Sequence, residues 1–108
     1  MAYIDTGLKL EQVPVGQSRC LDFEDNQVGL FHRKDGLFAI DNICPHRGAP
    51  LHDGMLSDNE VSCPWHQWRF QLSDGVCLNI PKVRVASYPV EVRDGAIWID
   101  LQDQGAKK

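Results

Sequence analysis

Short apolar runs broken by turn signals, not helical periodicity, organise this chain. Val28–His32 and Leu37–Ile40 flank Asp35-Gly36, Arg69–Leu72 and Val76–Leu78 flank Asp74-Gly75, and Tyr88–Val92 and Ala96–Leu101 flank Asp94-Gly95. Asp-Gly between apolar runs signals a tight hairpin, because both residues tolerate the positive φ that such turns demand. In the last run Ile97, Ile99 and Leu101 alternate with Trp98 and Asp100, which predicts a strand with one buried and one exposed face. No stretch keeps a helical period for three turns, and six prolines interrupt the long candidates, leaving one short helical turn near Lys9 to Gln12. The predicted class is all-β and antiparallel.

With 108 residues and 43% hydrophobic side chains, the chain can bury one modest core and not two. One domain is expected over residues 1–108: a base from strands before Asp41 and after about Asn79, an inserted subdomain at about 41–80, and a disordered tail at about 102–108. Net charge is −4, and basic residues cluster no further than Arg33-Lys34 and Lys107-Lys108, so there is no phosphate-binding footprint and no nucleic-acid partner is expected. No apolar run approaches a bilayer span, and Met1-Ala-Tyr-Ile-Asp5 lacks the basic-then-apolar pattern of a signal peptide. A cytoplasmic location without membrane attachment is expected. Cys20 and Cys77 then read as buried thiols in strands, not as a disulfide.

Two short knuckles change the picture. Cys44-Pro45-His46 and Cys63-Pro64-Trp65-His66 each offer one thiolate and one imidazole, with sixteen residues from Arg47 to Ser62 between them. A lone Cys or His is more often a core or surface residue, whereas two mixed knuckles form a ligand set. Zinc accepts two Cys and two His but usually takes them in like pairs. A Cys-x-His knuckle followed by a Cys-x-x-His knuckle suits a [2Fe–2S] cluster in which histidines replace two cysteines. Spacing alone leaves both metals open, with iron favoured. A core of two ferric ions and two sulfides carries about +2, so four thiolates bring it to about −2 and two thiolates with two neutral imidazoles to about 0. An electron enters the neutral centre more easily. Pro45 and Pro64 each fix a backbone dihedral, stiffening the knuckles. His32 and His52 have no ligand partner at suitable spacing and are expected on the surface.

The segment Cys44-Pro-His-Arg-Gly-Ala-Pro-Leu51 resembles the first cluster loop of the Rieske family, Cys63-Pro-Trp-His-Gln-Trp-Arg-Phe70 resembles the second, and Ser87-Tyr-Pro-Val-Glu-Val-Arg-Asp-Gly95 is similar to the closing run of such ferredoxins. That resemblance implies a Rieske fold, an antiparallel β-sandwich base with a small inserted cluster-binding subdomain of two loops. It implies one [2Fe–2S] cluster per chain, with Cys44 and Cys63 on one iron and His46 and His66 on the other. Arg47, Gly48, Trp65, Gln67, Trp68 and Phe70 would surround the cluster, and Pro81 would belong to a covering segment. Gly48 would allow the backbone close to the cluster.

Departures from the family pattern carry information too. Respiratory Rieske proteins join their loops by a disulfide at positions that here hold Ala49 and Trp65, so that bridge cannot form. Their sulfur-directed serine and tyrosine hydroxyls are replaced by Trp68 and Phe70. Hydrogen bonds to sulfur stabilise the reduced centre, so their loss implies a low potential within the Rieske range. Gln67 stands where glycine is common, which predicts a second loop of different shape.

By this resemblance the chain is a soluble ferredoxin that takes single electrons from a flavin-containing reductase and delivers them to a terminal oxygenase. A second reading is the small subunit of an NAD(P)H-dependent nitrite reductase, beside its large subunit. A third, of another class, is a regulatory or binding module with a structural cluster. Catalysis by this chain alone is not expected: the inferred ligands are all protein side chains, and no triad of two His and a carboxylate is evident.

Overall fold

A computed structural model of the chain describes residues 3–23, 27–45, 48–64, 68–80 and 82–101. The described residues form β1 (Tyr3–Lys9), β2 (Ser18–Asp22), β3 (Gln27–Arg33), β4 (Gly36–Asp41), β5 (Met55–Ser57), β6 (Glu60–Ser62), β7 (Arg69–Gln71), β8 (Ser87–Tyr88), β9 (Val90–Arg93) and β10 (Ala96–Asp100). One-turn 3-10 helices lie at Leu10–Gln12 and Leu51–Asp53. The first matches the predicted helical turn, and Gln12 Oε1 accepts the Lys9 N–H at 2.7 Å. Strand order is β1-β10-β9 in one sheet, β2-β3-β4-β8 in a second and β5-β6-β7 in a third, and every strand pairing among them is antiparallel. The all-β class holds.

The second sheet is covered on both faces. Val28, Leu30 and Ala39 pack with Val13, Ile97 and Ile99 of the base interior. From the opposite face, Phe31 and Ile40 pack with Val61, Phe70 and Leu72 of the third sheet. This double burial explains why β3 reads as an unbroken apolar run instead of alternating. Gly29 lies within that run because a Cβ there would come 2.8 Å from Asn42 Oδ1 and 2.9 Å from the Phe31 ring.

Of the three expected hairpins, one holds, one turns a residue early and one lacks its second strand. Asp94 and Gly95 both take positive φ, +51° and +82°, as a two-residue turn between strands requires. At the β3–β4 turn, Arg33 pairs with Gly36, so Lys34-Asp35 forms the turn and the expected Asp35-Gly36 pair is displaced by one. Val76–Leu78 is not a strand: Val76 bridges Arg84 while Cys77 bridges Phe70, so neighbouring residues serve different partners. The predicted run Tyr88–Val92 is also divided. β8 pairs with β4 in the second sheet and β9 with β10 in the first, because Pro89 has no N–H to continue a ladder and the chain changes sheets there. The carbonyl of Pro89 accepts the Asp100 N–H at 3.1 Å. That crossing covers the end of β10, so Asp100 is fully buried where alternation predicted exposure.

Candidate metal centre

Both knuckles sit in loops closed the same way. In the first, Ile43 bridges Pro50 and the Cys44 N–H donates to the Ala49 carbonyl at 2.9 Å. In the second, Ser62 pairs with Arg69 and the Cys63 N–H donates to the Trp68 carbonyl at 2.7 Å. Each loop thus runs six residues from its cysteine, 44–49 and 63–68, and is tied at the neck by an antiparallel pair. Gly48 takes φ +78° and donates its N–H to the Cys44 carbonyl at 2.8 Å, so its glycine is required by conformation.

The two thiols face one interior. Cys44 and Cys63 are each 1% exposed and pack in a single apolar cluster with Ala49, Leu51, Phe70 and Cys77. None of the four cysteines is in a disulfide. Cys77 is fully buried as expected, while Cys20 is only half-buried, because β2 is an edge strand. Burial, then the carboxylates of Asp22 and Asp53, push the Cys20 thiol up. Trp68 is half-buried against the core holding the thiols, and Phe70 is wholly buried in it, so no hydroxyl stands at either position. His46, Arg47, Trp65, His66, Gln67 and Pro81 lie outside the described residues. Leu78 and Asn79, which precede Pro81, are tied to the start of β7: the Leu78 N–H donates to the Arg69 carbonyl at 2.7 Å, and Asn79 Oδ1 accepts the Arg69 N–H at 2.8 Å.

Donor chemistry fits an iron–sulfur group. Two buried sulfurs on matched, stiffened loops suit a soft centre, and an apolar shell limits water and the dielectric around it. Among the described residues no three Cys, His, Asp or Glu side chains converge, so the two described thiols are half of the set the knuckles predict.

Several contributors escaped the sequence reading. His52 is not a surface residue: its ring is 27% exposed and hydrogen-bonded to the fully buried Asn42. His32 is half-buried too, with Nδ1 2.6 Å from the Val13 carbonyl. In both cases a residue ten or more positions away supplies the partner, Asn42 just after β4 and Val13 just after the first 3-10 turn. Gly54, in the one Asp-Gly that joins no predicted hairpin, allows close packing: a Cβ there would lie 1.9 Å from the Ser62 carbonyl. The only local hint of Asn42 is a polar residue between the apolar run of β4 and Ile43-Cys44.

Residues 5–100 match the Rieske-like [2Fe-2S] domain family, and the chain belongs to that family. It is 35% identical over 97 residues to the 3-phenylpropionate/cinnamic acid dioxygenase ferredoxin subunit of Photorhabdus laumondii, covering 88% of this chain and 91% of that protein. Cholesterol 7-desaturase of Drosophila melanogaster is 41% identical over 76 residues, 68% of this chain but only 18% of the larger protein. Among solved structures, the ferredoxin of carbazole 1,9a-dioxygenase from Nocardioides aromaticivorans IC177 superposes with a TM-score of 0.82 at 27% identity, covering 92% of this chain and 97% of that one. A chain assigned as the NADH-dependent nitrite reductase small subunit of Mycobacterium tuberculosis gives a TM-score of 0.82 at 29% identity, covering 91% and 93%.

Proposed function

We propose that Cys44, His46, Cys63 and His66 hold one [2Fe–2S] cluster, and that the chain is a Rieske-type ferredoxin carrying single electrons from a flavin-containing reductase to a terminal oxygenase. The observation that carries this reading is the pair of matched loops, each presenting a buried cysteine at the same closing bond. When bound, such a cluster accepts and donates one electron at a time. The chain's own part is to hold both thiols in stiff loops, so that little rearranges when charge changes, and to keep water away with Leu51 and Phe70. With Phe70 and Trp68 offering no hydroxyl to sulfur, the potential falls low in the Rieske range. No helix among the described residues is long and apolar enough to cross a membrane. We place the carrier in the cytoplasm.

Near-complete coverage of small dioxygenase ferredoxins favours this reading over the large oxygenases, in which the matched region is a fraction of the chain. The likeness to the nitrite reductase small subunit supports a second reading, with a reductase large subunit as partner. Protein purified anaerobically is expected to be red-brown with about two irons and two labile sulfides per chain and to give a Rieske-like paramagnetic signal on reduction. A colourless protein holding one zinc, despite ample iron and sulfide, overturns the cluster assignment. Electron delivery to an aromatic-ring oxygenase, compared with delivery to a nitrite reductase large subunit, decides between partners.

A further inference from the structure

β4 ends at Asp41 and β8 begins at Ser87, and residues 42–86 between them include both knuckles and the third sheet. That stretch meets the base through apolar side chains, Phe31 and Ile40 against Val61, Phe70 and Leu72. Apolar contact is non-directional, so it holds two layers together without fixing how one is turned on the other. Hydrogen bonds supply the direction, and they stand at the two ends of β4.

Where the chain leaves the base, the ladder between β4 and β8 pairs Ala39 with Tyr88 and Ile40 with Ser87. Asp41 carries it one step further, its N–H donating to the Ala86 carbonyl at 2.9 Å. Alternation along β4 puts the Asp41 side chain on the face of Ala39, which Tyr88 shares as its cross-strand partner. There both carboxylate oxygens are taken, Oδ2 by the Ala86 N–H at 3.1 Å and Oδ1 by the Tyr88 hydroxyl at 2.5 Å. Tyr88 is 5% exposed and packs in the base core, so one carboxylate ties the departing strand, the returning strand and the base interior together. At the other end of β4, Arg33 Nε donates to the Asp58 carbonyl at 2.6 Å and Asn59 Nδ2 to Asp35 Oδ2 at 2.8 Å. Those two bonds are exposed and compete with water, so they are worth less than the part-buried set at Asp41.

We propose that Asp41 and Tyr88 are the positioning pair of the first cluster loop, fixing on the base the stretch that carries it. This rests on the reading that the loop of Cys44 holds the cluster. Cys44 stands three residues beyond Asp41, and between them the Asn42 N–H is tied to the Gln27 carbonyl at 2.9 Å, so the hold at Asp41 passes to the loop through fixed backbone. Removing the Tyr88 hydroxyl takes one donor from the carboxylate. Removing the carboxylate also strips the Ala86 N–H of its acceptor and loosens the returning strand. A carboxamide in its place keeps the set, because its oxygen accepts from Ala86 and its nitrogen donates to the Tyr88 hydroxyl oxygen, which has lone pairs for it. The pair supplies geometry, not charge.

Two measurements on the holo-protein test the pair: loss of cluster absorbance with a chelator present, and amide hydrogen exchange read by mass spectrometry. Cluster loss is expected to run about fivefold faster in Tyr88→Phe and about tenfold or more in Asp41→Leu, and to stay within about twofold of the wild type in Asp41→Asn. If Asp41→Leu folds poorly, Tyr88→Phe, which keeps its ring in the base core, still decides. In Tyr88→Phe, exchange is expected to quicken about fivefold in residues 42–51 and to stay unchanged in residues 96–100, whereas a general loss of stability would speed both. Asn59→Ala, at the exposed end of β4, is expected to change cluster loss by no more than about twofold. Cluster loss in Tyr88→Phe equal to that of the wild type, failure of Asp41→Asn to rescue what Asp41→Leu loses, or equal quickening in residues 96–100 each overturns the proposal and leaves the cluster assignment standing. So does an effect of Asn59→Ala as large as that of Tyr88→Phe. A wild type without iron and sulfide overturns both, and the iron count distinguishes the two failures.

Discussion

The base and the third sheet solve the same packing problem with unequal means. β1 and β3 run seven residues each and β4 six, and the base core around Leu30, Ile97 and Ile99 draws on β3, β4, β8 and β10 with Val13 and contains no cysteine among its buried residues. β5, β6 and β7 have three residues each, and the core behind them includes three of the four cysteines. Strands that short do not hold together by ladder bonds alone. Loop-closing bonds, close backbone packing at Gly54 and Gly75 and, on the proposed reading, the cluster itself make up the difference. Folding strength is concentrated where no chemistry is proposed, and the proposed redox site rests on geometry.

The sharpest way to break this comparison is to remove a proposed ligand. Cys63→Ala is expected to abolish the visible spectrum and the bound iron, while amide protection persists in β3, β4 and β10 and falls in residues 55–71. Simultaneous loss of protection in the base would show that the two regions are not separable. Next in size is a pair of glycine substitutions. In Gly75→Ala the Cβ would lie 2.1 Å from the Val85 carbonyl at a residue with φ +76°, so roughly 3 kcal/mol or more of destabilisation is expected in chemical denaturation. Gly95→Ala, with φ +82° and nothing within 4 Å, carries only the conformational penalty, about 1 to 2 kcal/mol. Equal costs would refute the claim that close packing around the third sheet matters more.

Smaller effects sharpen the contrast. Phe70→Tyr is expected to raise the reduction potential by about 30 to 60 mV where its hydroxyl reaches sulfur, about 0.7 to 1.4 kcal/mol for one electron, as read by redox titration. A fall in potential would reverse the role given to that position. On the far side of the base, the Arg93 guanidinium lies 5.1 Å from the Tyr3 ring centre and 4.8 Å from that of Trp98. Arg93→Ala is expected to cost at most about 1 kcal/mol in thermal unfolding and to leave the cluster spectrum unchanged. A spectral change would reveal coupling across the whole base.

Local chemistry was legible in the sequence. The hairpin at Asp94-Gly95, a turn at Asp74-Gly75, the 3-10 turn after Lys9, the buried alternation of Ile97 and Ile99, and the two Cys/His knuckles all depend on residues a few positions apart, where turn conformation and ligand spacing are set. Tertiary structure alone decided what depends on distant partners. Pro89 divides one predicted strand between two sheets because β4 and β10 lie on either side of it, and Asp100 is buried because that crossing covers it. Phe31 and Ile40 acquire a second core only when the third sheet packs on them. His52 becomes part of the first loop's neck because Asn42 bonds it, and Asn42 is in turn held by Gln27 of β3, itself bonded to Asp22 of β2. A sequence specifies a turn or a knuckle through neighbours, but burial and hydrogen-bond direction belong to residues that meet only after the chain has folded.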